Sequence, residues 1–177
     1  MQLENSKLIN DIDSLKSILK NEQKAGKCVV FTNGCFDIIH PGHIFILEQA
    51  KLKGDILVVG LNSDQSIKGF KSDLRPICTQ DDRAYVLAGL ASVDYIFIFN
   101  EATPENIIME ISPDVLVKGK DYKIDDIAGA DYMLKENKKI ELVDVIEKKS
   151  TTNIIEYIKK LNSCLLYTSD AADEKRC

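Results

Sequence analysis

The chain has 177 residues, of which 45% are hydrophobic and 29% charged, and its net charge is −5. That size and apolar content suit one domain with a core of its own. The acidic balance argues against a nucleic-acid partner, which calls for clustered Lys and Arg, whereas Lys138-Lys139 and Lys148-Lys149 are isolated pairs.

Met1 to Asn10 lack the basic-then-apolar layout of a signal peptide, and no apolar run approaches the roughly 20 residues of a membrane span. A cytoplasmic protein with no membrane partner is expected. Residues 1–24 read as a helix, with Leu8, Ile12, Leu15, Ile18 and Leu19 at helical spacing and Gly26 as the stop, so that 1–25 precede a domain over 26–162. The run Cys28-Val29-Val30-Phe31-Thr32 predicts a buried strand. Further strands are predicted at Ile56–Gly60, Tyr95–Phe99, Val115–Val117 and Ile140–Val143. Helix-length segments separate them: Gly42–Lys53, Gln80–Leu90, Pro104–Ile111 with Thr103 as N-cap, and Asp125–Glu136. A last apolar helix, Ile154–Leu161, follows. Continuous apolar strands alternating with helices predict a Rossmann-like α/β fold, a doubly wound parallel five-stranded sheet with helices on both faces. Residues 163–177 break the pattern. Cys164–Glu174 resembles a translated sequencing-library adapter, and the segment is set aside as a non-native or disordered tail.

In open parallel sheets ligands bind beyond the carboxyl ends of the strands, so a site is predicted just after the first strand. Thr32-Asn33-Gly34-Cys35-Phe36-Asp37-Ile38-Ile39-His40-Pro41-Gly42-His43 lies there. A strand-to-helix junction presents free backbone N–H groups and the positive end of a helix dipole, and both favour phosphate. Gly34 permits close backbone approach, and Pro41 is preset for a first helical turn. His40 and His43, the chain's two histidines, can project to one side and donate to phosphate oxygens. Lys71 and Arg75 add cations in the loop Gly69–Pro76. In Lys118-Gly119-Lys120-Asp121-Tyr122, Asp121 can take ribose hydroxyls and Tyr122 can lie against a base. Ser150-Thr151-Thr152 reads as a helix cap or as phosphate ligands. The five cysteines are odd in number and show no C-x-x-C spacing, which disfavours zinc and a disulfide framework.

The ordered blocks TNGCFDIIHPGH (32–43), VGLNSD (59–64), FKSDLRP (70–76), DDRAYVLAGLASVDY (81–95), PDVLVKGKDY (113–122), IAGAD (127–131) and STTNII (150–155) resemble the HxGH nucleotidyltransferase superfamily. Within it they are most similar to the adenylyltransferases of ADP-heptose synthesis, where Lys120 replaces a usual glycine. The resemblance implies that His40, His43 and Lys71 are catalytic. It gives Thr32, Asn33, Gly34, Phe36, Gly119, Asp121, Ser150, Thr151 and Thr152 to the nucleotide, and Asp37, Asn62, Asp64 and Arg75 to the sugar phosphate. It implies ATP and a sugar 1-phosphate as substrates, with Mg²⁺ carried by the triphosphate and no metal ligands of the protein's own. A separate heptose 7-phosphate kinase is expected in the pathway. The chain resembles the stand-alone form or a fragment of a fused one, and a homodimer accords with the superfamily. Two other readings stay open, a cytidylyltransferase acting on glycerol 3-phosphate and an inactive nucleotide-binding module.

Overall fold

The structure, a computed structural model, describes residues 6–71, 74–146 and 149–161. The tail at 163–177 lies outside them. Five strands, β1 (Val29–Gly34), β2 (Ile56–Asn62), β3 (Tyr95–Phe99), β4 (Val115–Gly119) and β5 (Lys139–Val143), form one sheet in the order β3-β2-β1-β4-β5. All neighbours run parallel, so the expected doubly wound fold is the one observed. Successive strand residues face opposite sides, which splits the core in two. Val30, Leu57, Val59, Ile96 and Val117 pack under helices α2 (Pro41–Lys51) and α4 (Gln80–Ala88). Phe31, Val58, Phe99 and Leu116 pack under α1 (Ile12–Lys24), α5 (Glu105–Ile111) and α6 (Ala130–Lys135). Each fully buried apolar side chain contributes about 1.5–3 kcal/mol.

The differences from the sequence reading have local causes. Leu8 is not helical: it bridges Ile96 at the β3 edge, and α1 starts only after Asp11, whose carboxylate accepts from Ser14 N–H. Pro104, not Thr103, is the N-cap of α5, because Ile108 N–H bonds its carbonyl. The segment expected as one helix over Asp125–Glu136 is cut by Gly129 at φ 84°, leaving a short 3₁₀ turn at Ile124–Asp126 ahead of α6. A polar helix, α3 (Asp64–Phe70), was not foreseen; Ser63 caps it by accepting from Ser66 N–H. The final helix, α7, runs over 151–161, three residues earlier than expected, since Ser150 Oγ accepts from Asn153 N–H.

β1, β2 and β4 each run two residues past their predicted ends at Thr32, Gly60 and Val117. These ends, Asn33-Gly34, Leu61-Asn62 and Lys118-Gly119, keep strand pairing while carrying groups to the carboxyl edge. The chain winds outward from β1 to β3 on one side and through β4 and β5 on the other, so the switch point falls between β1 and β4.

Candidate active site

Between β1 and α2 the chain folds tightly. Phe36 (φ 47°) and Ile38 (φ 52°) take the left-handed conformation. For a β-branched residue that conformation is an outlier costing about 1–2 kcal/mol. Asp37, 1% exposed, holds the turn in place. Its carboxylate accepts from Arg75 Nε (2.8 Å) and from the backbone N–H of Ile77 and Cys78 (3.0 Å each), and its carbonyl accepts from the Thr151 hydroxyl (2.5 Å). Burial pushes this carboxyl's pKa up, but those donors outweigh it and leave the group below its ordinary range. Because Ile38 belongs to neither core cluster, Ile38→Asn is expected to stabilise the protein by about 1 kcal/mol, read as a higher thermal midpoint. An unchanged or lower midpoint would show that the side chain compensates for its own backbone.

His40 caps α2 and Pro41 opens it. The His40 carbonyl accepts from His43 N–H at 2.9 Å, which brings the two rings into a stack with centroids 3.8 Å apart and planes at 23°. Phe36 leans on His43 from the other side, with centroids 5.3 Å apart. A methyl at residue 42 would meet the His40 ring at 3.0 Å and the Lys149 carbonyl at 3.1 Å, so glycine is what lets this stack form. Nδ1 of both histidines is buried and makes no hydrogen bond among the described residues. Burial lowers the pKa of His43 to about 4, with His40 and Lys71 adding to the effect; burial, then Lys149, lowers that of His40. Both rings are therefore neutral at pH 7, and the negative charge of a polyphosphate beside them would favour their protonation.

A cavity of about 430 Å³ opens at this edge. It is lined by every residue the resemblance assigned to catalysis and nucleotide: His40, His43, Lys71, Thr32, Asn33, Gly34, Phe36, Gly119, Asp121, Ser150, Thr151 and Thr152. The N-termini of α2 and α7 both reach it. Three of the hydroxyls already have protein partners. Thr32 donates to the Val117 carbonyl (3.0 Å), Thr151 to that of Asp37, and Ser150 accepts from Asn153 N–H (3.2 Å). A second cavity of about 300 Å³ adjoins the first through a shared wall that includes His43, Lys71 and Lys118. Asp37 and Asn62, two of the four residues assigned to the sugar phosphate, line it.

The other two stand apart. Asp64 is paired with Arg83 (2.7 Å) and borders a different surface hollow, and Arg75 is bonded to Asp37. Lys120, the departure from the usual glycine, pairs with Asp144 at the surface and lines neither cavity. Two important residues were not singled out in the sequence. Arg83 is 1% exposed and donates to the carbonyls of Cys78, Cys35 and Asn62 as well as to Asp64. Lys118, 9% exposed, donates to Asn33 and lies 5.5 Å from the Tyr122 ring centroid. An Arg inside an apolar helical pattern, and a Lys ending an apolar strand, were the available signals.

A parallel sheet wound 3-2-1-4-5, with a stacked His-x-Gly-His pair at the first helix and cations around the cavity beyond it, defines the HxGH nucleotidyltransferase fold. The chain belongs to the cytidylyltransferase-like family, whose model matches residues 31–169. It is 54% identical over 151 residues to the bifunctional protein HldE of Campylobacter concisus, covering 85% of this chain and 31% of that protein. To the bifunctional protein HldE of Wolinella succinogenes it is 46% identical over 158 residues, covering 89% and 32%. The chain thus spans about a third of the length of the curated relatives it matches. Among solved structures, a lipopolysaccharide core biosynthesis protein from Thermoplasma volcanium superposes with TM-score 0.57 at 28% identity, covering 70% of this chain and all of that one. Pantoate-beta-alanine ligase from Francisella tularensis shares the fold, with TM-score 0.54 at 18% identity, covering 80% of this chain and 67% of that one. Among the described residues no helix is long and apolar enough to cross a membrane.

Proposed function

We propose that the chain transfers AMP from ATP to D-glycero-β-D-manno-heptose 1-phosphate, giving ADP-heptose and pyrophosphate. An oxygen of the sugar phosphate attacks the α-phosphorus in line. The bond from that phosphorus to the bridging oxygen breaks, and pyrophosphate leaves with the electron pair. The nucleophile is already an anion near pH 7, so no general base and no covalent intermediate are required. The protein's part is positioning and charge stabilisation. The observation that carries the reading is the stacked pair of imidazoles, each with a buried Nδ1 that has no hydrogen-bond partner among the described residues, beside a cavity with lysines on its walls.

His40, His43, Lys71 and the start of α7 would hold the triphosphate, and Gly119 and Asp121 the nucleoside. The cavity's walls offer cations and hydroxyls, with Asp121 as their carboxylate. That donor set fits a triphosphate bringing its own Mg²⁺, which would neutralise phosphate oxygens. The kinship with the proteins named above, one a lipopolysaccharide core biosynthesis protein, supports a surface-glycan role. A sugar kinase, fused or separate, would supply the 1-phosphate, and a homodimer is part of the proposal. A pyrophosphate-release screen over ATP and CTP, each with heptose 1-phosphate and glycerol 3-phosphate, is the test. ATP with the heptose phosphate is expected to be fastest. Preference for CTP with glycerol 3-phosphate would replace this reading with the cytidylyltransferase one, and tight ATP binding without turnover would leave an inactive binding module.

A further inference from the structure

The attacking oxygen must come within about 3–3.5 Å of the α-phosphorus while both phosphates carry negative charge, so the acceptor's phosphate needs a fixed cation of its own. Of these two cavities, only the larger is lined by His40, Lys149, Ser150 and Thr152, and Thr151, which reaches both, is a neutral hydroxyl already bonded to the Asp37 carbonyl. In the smaller one the basic side chains among the described residues are His43, which is neutral, and Lys71 and Lys118. Lys71 is exposed, whereas Lys118 is buried at the end of β4. Its ammonium donates to both Asn33 oxygens and stands by the Tyr122 ring, and among the described residues it has no ion-pair partner. A buried charge is costly unless a counter-charge meets it, and this one stands at the wall between the two cavities. Arg75, the cation expected for this task, has its Nε engaged by Asp37.

We propose that Lys118 grips the phosphate of the acceptor at this shared wall and aligns its attacking oxygen, and that the smaller cavity beyond takes the sugar ring. This rests on the nucleotidyl-transfer reading above. Burial lowers the Lys118 pKa to about 8, against the upward pull of Cys35 and Asp121. Lys71, His43 and the Tyr122 hydroxyl are the other titratable groups on the shared wall. An anion bound beside the ammonium would raise the value again, so acceptor affinity should fade as pH climbs through about 8.

The test uses Lys118→Met and Lys118→Arg in the full chain, each checked by thermal melting. Losing one charge-assisted hydrogen bond should raise KM for heptose 1-phosphate about 10- to 100-fold in Lys118→Met, with KM for ATP little changed. Calorimetry on protein saturated with α,β-methylene-ATP should show inorganic phosphate binding to the wild type and not to Lys118→Met. In Lys118→Arg, which keeps its charge at high pH, acceptor KM should lose its rise near pH 8. Should Lys118→Met fail to fold, this pH profile decides the matter. Unchanged acceptor KM and retained phosphate binding in Lys118→Met, an equal loss of ATP affinity, or a pH rise that survives in Lys118→Arg would each overturn the assignment. If the wild type forms no nucleotide sugar, the proposed reaction falls, and the phosphate-binding comparison still decides the role of Lys118.

Discussion

His43→Ala is expected to lower kcat about 10²–10³-fold, equivalent to about 3–4 kcal/mol of transition-state stabilisation, with a smaller effect on KM for ATP. The expectation follows from where the ring sits. It is wedged between His40 and Phe36, its Nδ1 without a partner among the described residues, on the wall common to both cavities. A donor fixed at that wall helps most when charge builds on the transferring phosphate. A purely structural histidine would behave in the opposite way, with a lower melting point and normal turnover of the remaining folded enzyme. The pH dependence of stability provides a second check. In the folded, ligand-free protein His43 titrates at about 4, and in the unfolded chain near 6.5. As pH falls from 6.5 the unfolded chain takes up the proton first, so this residue's contribution to stability is complete above 6.5 and is lost progressively down to about 4. His43→Ala should flatten that part of the stability profile. A well-folded variant with near-normal kcat would refute the catalytic role.

Arg83→Met is expected to destabilise the fold by about 3–5 kcal/mol, because removing a buried guanidinium leaves several acceptors unsatisfied at about 1–3 kcal/mol for each buried one. Four acceptors lose their donor together: the carbonyls of Cys35, Asn62 and Cys78, and the Asp64 carboxylate. For a chain of this length that corresponds to a fall in thermal midpoint on the order of 10 °C. Lysine should rescue little, because a single ammonium cannot span sites that the planar guanidinium fork reaches at once. Two of the carbonyls belong to the loop after β1 and to the end of β2, so nucleotide affinity should weaken even where Arg83→Met remains folded. A midpoint within a few degrees of wild type would show that water replaces the guanidinium at little cost.

Both residues illustrate what could be read from the chain alone. The histidines were legible because their chemistry is local: four consecutive residues set the helix start, and the ring stack follows from it. Likewise β3 was located to the residue, because its apolar run is bounded by polar residues at both ends. The brace of Asp37 on Arg75 and that of Arg83 on Cys35 join residues 38 and 48 positions apart, and no spacing rule announces such a pair. The resemblance gives Asp37, Asp64 and Arg75 to the sugar phosphate, and the sequence does not show that Arg75 is bonded to Asp37 and Asp64 to Arg83. α3 escaped notice for a related reason. Its sequence, DQSIKGF, carries almost no apolar face, and the helix is specified by Ser63 at its cap and by Ser66 bonded to Asn62 and Glu101. The polar extensions of β1 and β4 carry no apolar strand signal and stay extended by pairing with neighbours already in place, whereas in β2 the apolar run resumes at Leu61 after Gly60.

The bond from Thr151 to the Asp37 carbonyl spans 114 positions. The sheet is complete once Val143 is in place, yet the wall of the nucleotide cavity formed by Ser150, Thr151 and Thr152 still has to arrive. On the ribosome, then, a domain whose strands are all made would still lack its finished site. With the nucleotide placed as proposed, competence to bind it appears only when α7 has emerged and docked, so a chain stalled shortly after β5 would hold a formed sheet without sequestering ATP.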